Sequence, residues 1–214
     1  MSQRLQQSRP DSSQWFDRNF FDRHNIDTGY VGTGANWWGR AAWPTLAGWG
    51  AWGWSTPYYY DDAGYGYALS TADSNYTYPY STTTTPNQSF PTQVAQGTQN
   101  TSSAGGDWLP LGVFAVGSNA SAAAQSNRFI QLAISRSGEI AGVLYNSTTD
   151  AAQDLTGKVD TNSQKAYWSL SNRTDSPIAS TGMYNLTEDQ TPINVHFADG
   201  SDQIWTLVRL QQGK

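Results

Sequence analysis

Residues 128–146, RFIQLAISRSGEIAGVLYN, decide the fold of the second half of the chain. From residue 130 to residue 134, apolar side chains occupy every second position, which is the period of a half-buried β-strand. Residues 136–139 read RSGE, and a Gly in so short a connection is the usual hairpin signal. A second apolar segment, 140–145, follows at once. The stretch therefore predicts an antiparallel hairpin.

The same pattern extends on both sides of this hairpin. Turn residues separate short strand-like segments at 111–116, 130–135, 140–145, 155–160, 165–170, 178–184, 193–198 and 204–210. After Gly106 we find no convincing helical period. Sequential hairpins with a single buried face favour a meander, and closing the meander removes its exposed edges. The predicted fold class is all-β: a small antiparallel meander of about eight strands that forms an up-and-down, lipocalin-like barrel.

Three glycines interrupt the predicted strands, namely Gly142, Gly157 and Gly182. Glycine inside a strand often marks a bend or a bulge, because it has no side chain to pack. These three positions are therefore candidates for bends or bulges.

The first half of the chain has a different composition. Seven of the ten Trp precede residue 55, and nine of the twelve Tyr precede residue 81, interleaved with Gly. Glycine is costly in regular structure, so this half is predicted to be largely irregular. The predicted division is a low-complexity Gly/Trp/Tyr-rich segment at 1–80, a disordered Ser/Thr/Gln-rich linker at 81–106 and a β domain at 107–211.

The aromatic residues of the first half form the candidate interaction surface. Its members are Trp37, Trp38, Trp43, Trp49, Trp52, Trp54, Tyr58, Tyr59 and Tyr60. Three interpretations stay open: a disordered adhesive segment, a segment that folds back over an opening or a face of the β domain, or an anchor to a membrane, glycan or protein surface. Residues 41–60 are uncharged, but their Pro and Gly content argues against a transmembrane helix.

Charge and cysteine content exclude several function classes. The net charge is -5 and only 14% of residues are charged, so a nucleic-acid partner is not expected. The chain has no Cys, which excludes disulfides, thiolate metal sites and a Cys nucleophile. Residues 1–11 lack an apolar segment, so we predict no signal peptide; the chain is then either cytoplasmic or a fragment of a longer one.

No catalytic constellation is visible in the sequence. His24 and His196 are the two histidines, and they lie far apart in the sequence, whereas a metal site usually needs a cluster of ligands. Adjacent Asp61 and Asp62 lie in the Gly/Tyr stretch, while Asp199 and Asp202 bracket a predicted turn, where Asp is favoured for local hydrogen bonds. We therefore predict no enzyme, no cofactor and no metal site.

Several motifs resemble a group of bacterial, planctomycete-type surface proteins that carry protocadherin-like names. They are Asp107–Val116 (DWLPLGVFAV), Ile140-Ala-Gly, Tyr145-Asn146, Thr181–Thr187 (TGMYNLT), Val195-His-Phe197, Trp205–Leu210 (WTLVRL), Asn19-Phe20-Phe21 and Trp37-Trp38-Gly39. The resemblance implies export and a location at the cell surface. It implies no established activity, so it assigns no catalytic or binding residue. The acidic calcium motifs of cadherin modules are not found in this sequence.

These observations leave two main functions and a weaker third. The leading one is a non-enzymatic surface or envelope module that binds an unknown protein, glycan or envelope surface. The alternative is a barrel that binds a small ligand in its interior. Inward-pointing Trp168, Ile204, Leu132 and Phe197 would fill a small barrel and argue against that alternative. An enzyme with a site invisible in the sequence is the third.

Overall fold

The computed structural model describes residues 12, 14–26, 36–69, 107–171 and 173–212. The predicted linker at 81–106 lies outside these residues. Within them, three short α-helices occur: α1 (Arg18–Arg23), α2 (Trp43–Ala47) and α3 (Ala120–Gln125). Strands β1 (Tyr58–Tyr60) and β2 (Gly66–Ala68) form a separate two-stranded hairpin.

The predicted all-β barrel is confirmed. Its eight strands are β3 (Trp108–Gly117), β4 (Arg128–Ser135), β5 (Glu139–Asn146), β6 (Ala151–Asp160), β7 (Lys165–Leu170), β8 (Ile178–Gly182), β9 (Gln190–His196) and β10 (Asp202–Leu210). Each strand pairs antiparallel with the next, and β10 pairs with β3 to close the barrel. A 3₁₀ turn, Asn185–Thr187, lies between β8 and β9.

The barrel core consists of the inward-facing side chains. Its fully or nearly fully buried members include Leu132, Ile134, Ile140, Trp168 and Leu207. Leu46 of helix α2 belongs to the same cluster and has no exposed surface. The aromatic half of the chain therefore contributes to the interior of the barrel.

A second apolar cluster lies on the outside of β10, β3, β4 and β5. Outward-facing residues such as Val113, Phe129 and Tyr145 pack there against Trp15 and Phe20 from the beginning of the chain. The prediction of a single buried face is therefore wrong for these strands. Apolar residues within 15–26 and 37–38 cover their outer face, so both faces are apolar and buried.

Strand irregularity occurs at a different glycine from the three predicted ones. The strand pairing shows no register shift at Gly142 or Gly157, and Gly182 is the last residue of β8, so none of the three marks a bulge. The register shifts instead between Pro110 and Gly112, and Gly112 has a φ of +124°. At Gly157 the reason for glycine is close approach: a Cβ would lie 1.9 Å from the Tyr167 carbonyl oxygen.

Helix α3 is a further correction, because no helix is expected after Gly106. It spans the connection from β3 to β4, and its sequence ASAAAQ is too short to show a helical period. Asn119 caps its N-terminus, since the Asn119 side chain accepts a hydrogen bond from the Ala122 N–H at 2.9 Å.

Candidate functional site

One end of the barrel is capped by residues 41–60, which we call the aromatic segment. We call this end the capped end; it carries the β4–β5 turn, the β6–β7 turn and the β8–β9 connection. The indoles of Trp43 and Trp54 stack there with their centroids 5.9 Å apart and an interplanar angle of 7°. The Trp54 Nε1–H donates to the Thr161 carbonyl at 2.8 Å. The segment is therefore fixed both by ring packing and by a specific hydrogen bond.

Polar contacts hold the segment to each turn of the capped end. Arg136, in the β4–β5 turn, donates to the Trp49 carbonyl at 2.8 Å, and its guanidinium lies 4.2 Å from the Trp49 ring centroid. Asn185, in the β8–β9 connection, exchanges hydrogen bonds of 2.8 and 2.6 Å with the backbone of Tyr60. These contacts fix the segment to the barrel at two points that follow its short helix α2.

A buried arginine lies beneath the cap. Arg209 is 4% exposed, and its guanidinium donates to the carbonyls of Leu111, Leu186 and Glu188. It also lies 4.5 Å from the centroid of the Phe114 ring. Burial lowers the pKa of Arg209 to about 10, so the side chain is still charged at neutral pH. Its donors are used by the backbone, which gives it a structural role.

The opposite end of the barrel holds a cavity of about 620 Å³, and we call it the open end. All eight strands of the barrel contribute to its lining. The apolar lining residues include Val116, Ile130, Leu144, Leu155, Trp168, Leu170, Ala179, Ile193, Val195 and Trp205. A cavity of this size and lining is typical of a small-molecule site.

Aromatic side chains form the floor and part of the wall of the cavity. Trp168 is 2% exposed and separates the cavity from the capped half of the core. Trp205 stands on β10, where its Nε1–H donates to Gln203 Oε1 at 3.0 Å, and its ring contacts Phe197 edge-on at a centroid distance of 6.2 Å. The rings therefore face the cavity in fixed orientations.

The rim of the cavity is polar. Arg128, Asn146 and Gln153 line it, and Arg128 is the one charged residue in the lining that the structure describes. Arg128 and Asn146 are paired directly across strands β4 and β5. An apolar interior with a few polar groups at its rim is an arrangement that orients an amphipathic ligand.

An outer groove of about 730 Å³ lies between the β1–β2 hairpin and the outer face of β9 and β10. Two acidic residues, Asp61 and Asp62, line it, and Asp61 accepts hydrogen bonds from the Tyr65 N–H at 2.9 Å and the Tyr67 hydroxyl at 2.8 Å. These bonds fix the hairpin turn and use the carboxylate oxygens locally. Although the groove is larger, all eight strands of the barrel line the open-end cavity, so we prefer the cavity as the site.

The structure places the nine predicted interaction residues largely against the barrel. Trp37, Trp38, Trp54 and Tyr60 are buried, Trp43, Trp49, Trp52 and Tyr59 are partly buried, and Tyr58 is 38% exposed. Trp37 and Trp38 belong to the outer cluster, whereas Trp43, Trp49, Trp52 and Trp54 belong to the capped end. The sequence alone leaves three interpretations open for these residues. Their positions fit the one in which the segment folds back over a face or an opening of the β domain. Binding of an external partner stays a prediction.

The candidate titratable residues have local partners. His196 Nδ1 lies 2.9 Å from Asp202 Oδ1, and His24 Nε2 lies 3.4 Å from Asp150 Oδ1. Asp199 accepts hydrogen bonds from Ser201, which lower the pKa of its carboxyl and fit the predicted turn. Among the described residues, no group of three His, Cys, Asp or Glu is arranged to hold a metal ion.

The cavity is the feature that the sequence did not reveal. Of the four residues expected to fill the barrel, Leu132 and Trp168 are buried inside and Phe197 packs at the open end. Ile204 points outward and is 45% exposed, so that expectation is wrong for Ile204. Trp205 and Leu207 take the inward positions of β10, and the adjacent apolar residues of this strand made its inward face ambiguous.

Fold and cavity together define the class of protein: an eight-stranded antiparallel barrel with one capped end and one open, apolar end. Scans against protein-family models, curated proteins and solved structures found no match to this chain. The resemblance to bacterial surface proteins stays a prediction. Within the described part of the chain, none of the helices has the length and apolar character needed to cross a membrane.

Proposed function

We propose that this protein binds a small, mainly apolar molecule in the open-end cavity of its barrel. The observation that carries the proposal is the cavity itself: about 620 Å³, lined by apolar residues from every strand of the barrel. Ligand cavities in proteins usually measure about 300–1,000 Å³. The proposal follows the alternative function predicted from the sequence rather than the leading one.

The division of the barrel supports this function. On the capped side of Trp168 the core is filled by side chains such as Ile134, Ile140 and Leu46, which have at most 1% exposed surface. On the open side, Leu144, Leu170 and Ala179 are only partly buried. An apolar ligand would remove this remaining surface from water, and that burial supplies the driving force for binding.

The surface or envelope location and the absence of enzymatic activity stay predictions. They are compatible with a binding barrel, because a ligand-binding module needs no catalytic group. Among the residues that the structure describes, those of the cap and the outer cluster do not line the cavity at the open end, apart from Ala152, which packs against the outer cluster.

The experiment is a titration of the full chain with a neutral, fluorescent naphthylamine dye. We expect saturable binding with one dye per chain. Ala179→Trp places an indole inside the cavity, where it takes the space of the dye. It should weaken the dye affinity at least tenfold, because the dye loses apolar contact with the cavity wall. Ile178→Trp is the matched control, because Ile178 neighbours Ala179 on β8 but faces the outside.

The proposal also predicts a dependence on ligand length. In a series of linear alcohols, each added methylene should tighten binding about fourfold until the chain fills the cavity. Unchanged dye affinity in Ala179→Trp, with urea unfolding showing a folded protein, would contradict the proposal. So would equal weakening by Ile178→Trp.

A further inference from the structure

The charge distribution in the lining distinguishes one kind of ligand from others. The cavity holds a single charged residue among the lining residues that the structure describes, and that residue is Arg128. Its side chain is exposed at the rim, whereas Trp168 and Leu155 lie deeper and are buried. A ligand in this cavity therefore meets apolar surface inside and one positive charge at the opening.

Arg128 differs in its surroundings from three other arginines at the protein surface. Arg40, Arg136 and Arg173 each lie 2.9–3.5 Å from an aspartate oxygen. Among the ion pairs of the described residues, none includes Arg128. Its planar guanidinium is thus available to an external anion, which it can hold through two parallel hydrogen bonds.

Asn146 supplies a second donor next to this guanidinium. It stands directly opposite Arg128 in the β4–β5 pair, and such pairs have their side chains about 5 Å apart on one face. Asn146 Oδ1 accepts the Thr148 N–H at 3.0 Å, which orients the side chain and leaves the amide NH₂ as a donor. Two donors of this kind suit an anionic oxygen group.

The net charge of -5 opposes an anion at long range, but the local charge prevails. At physiological salt the Debye length is about 8 Å, so distant carboxylates are largely screened. The contact between guanidinium and ligand lies at the edge of an apolar cavity, where screening by water is reduced.

We infer that the ligand is a single-chain apolar molecule that ends in an anionic head group, with its chain in the cavity and its head at Arg128 and Asn146. This inference rests on the proposed function. A carboxylate and a phosphate monoester share the chemistry that the two donors recognise, and the experiment separates them.

The test compares three ligands of equal chain length, decanoate, decyl phosphate and decanol, each titrated below its micellar concentration into the full chain. At least one anion should bind about fivefold tighter than decanol, and this preference should decrease as salt increases. The anion with the larger preference identifies the head group.

Three variants assign the preference to the rim. Arg128→Gln removes the charge, and Asn146→Asp gives Arg128 an internal partner; both should abolish the anion preference while decanol affinity stays within twofold. Arg173→Gln makes the same change in net charge on the β7–β8 connection and should preserve it. Equal binding of decanol and both anions, or a preference that persists in Arg128→Gln and Asn146→Asp, would overturn the inference and leave the proposed function standing. Absence of binding by all three ligands would instead reject the proposed function itself.

Discussion

The two ends of this barrel are built from the same eight strands and differ in what covers them. At the capped end, Leu46, Trp43 and Trp54 from the aromatic segment complete the core, and hydrogen bonds fasten the segment to the turns. At the open end, Trp168 and Trp205 face a cavity of about 620 Å³. The difference shows that an irregular, Gly- and Trp-rich sequence can be part of a folded core. It also places the candidate site at the end whose lining includes none of the described residues 36–69.

The largest effect is expected from the buried arginine of the capped end. Arg209→Ala removes the donor to three backbone carbonyls and leaves a void beside Phe114. The free energy of unfolding should fall by about 3–5 kcal/mol, measured by urea denaturation. Arg136→Ala, an exposed arginine at the same end, should cost less than about 1 kcal/mol. Similar costs for the two variants would contradict the structural role of Arg209.

A smaller effect on the free energy of unfolding is expected from leucine substitutions, and it should differ between the two ends. Leu46→Ala removes a side chain with no exposed surface from the capped end and should lower the free energy of unfolding by about 2–4 kcal/mol. Leu170→Ala, at the partly buried open end, should cost about 1 kcal/mol. If the aromatic segment contributed little to the fold, Leu46→Ala would be the milder of the two.

A substitution at Gly157 tests the close packing of β6 against β7 between the two ends of the barrel. A Cβ at this position would lie 1.9 Å from the Tyr167 carbonyl oxygen and 2.9 Å from Trp168 Cβ, so Gly157→Ala forces β6 and β7 apart. We expect thermal and urea unfolding to show a loss of about 1–3 kcal/mol. Gly48→Ala is the control, because Gly48 has a φ of -89° and its added Cβ would meet ordinary contact distances. A neutral Gly157→Ala would show that the strands are less closely packed than described.

The smallest effect concerns pH and the tyrosines near the β1–β2 hairpin. Burial raises the pKa of Tyr167 to about 12, above the 10 of an exposed tyrosine. The neutral phenol is therefore favoured in the folded state, so its stabilisation is complete below pH 10 and is lost as the pH rises through 12. Burial lowers the pKa of Lys165, and its effect on the pH dependence of stability has the opposite sign. As the pH rises, the folded protein loses the Lys165 proton before the unfolded chain does, so this residue makes stability increase with pH.

The variant Tyr167→Phe isolates the tyrosine contribution. Between pH 9 and pH 11.5 the wild type should lose about 1–2 kcal/mol more than Tyr167→Phe, after allowance for solvent screening. Urea midpoints at the two pH values measure this difference. Tyr65→Phe changes an exposed tyrosine of the β1–β2 hairpin and should show the wild-type loss. A wild-type pH dependence in Tyr167→Phe would contradict the assigned shift.

Sequence pattern sufficed for the barrel because its strands carry local signals. Alternation in 130–134 and the turn at 136–139 predicted β4, β5 and the connection between them, all confirmed. The cap was beyond such reasoning, since the packing of Leu46 and Trp54 depends on contacts with residues distant in the chain. The cavity was beyond it as well, because cavity volume depends on which neighbour of an apolar pair, such as Ile204 and Trp205, faces inward.

The most direct test of the central claim is methyl NMR of the full chain during titration with decanol. We expect chemical-shift changes for methyl groups of the open end, such as those of Leu144, Leu170 and Ile193, saturating at one ligand per chain. Methyl groups of the capped end, those of Leu46 and Ile134, should keep their shifts. Changes confined to the capped end or to the outer surface, or no saturable change at all, would contradict a binding site in the open end.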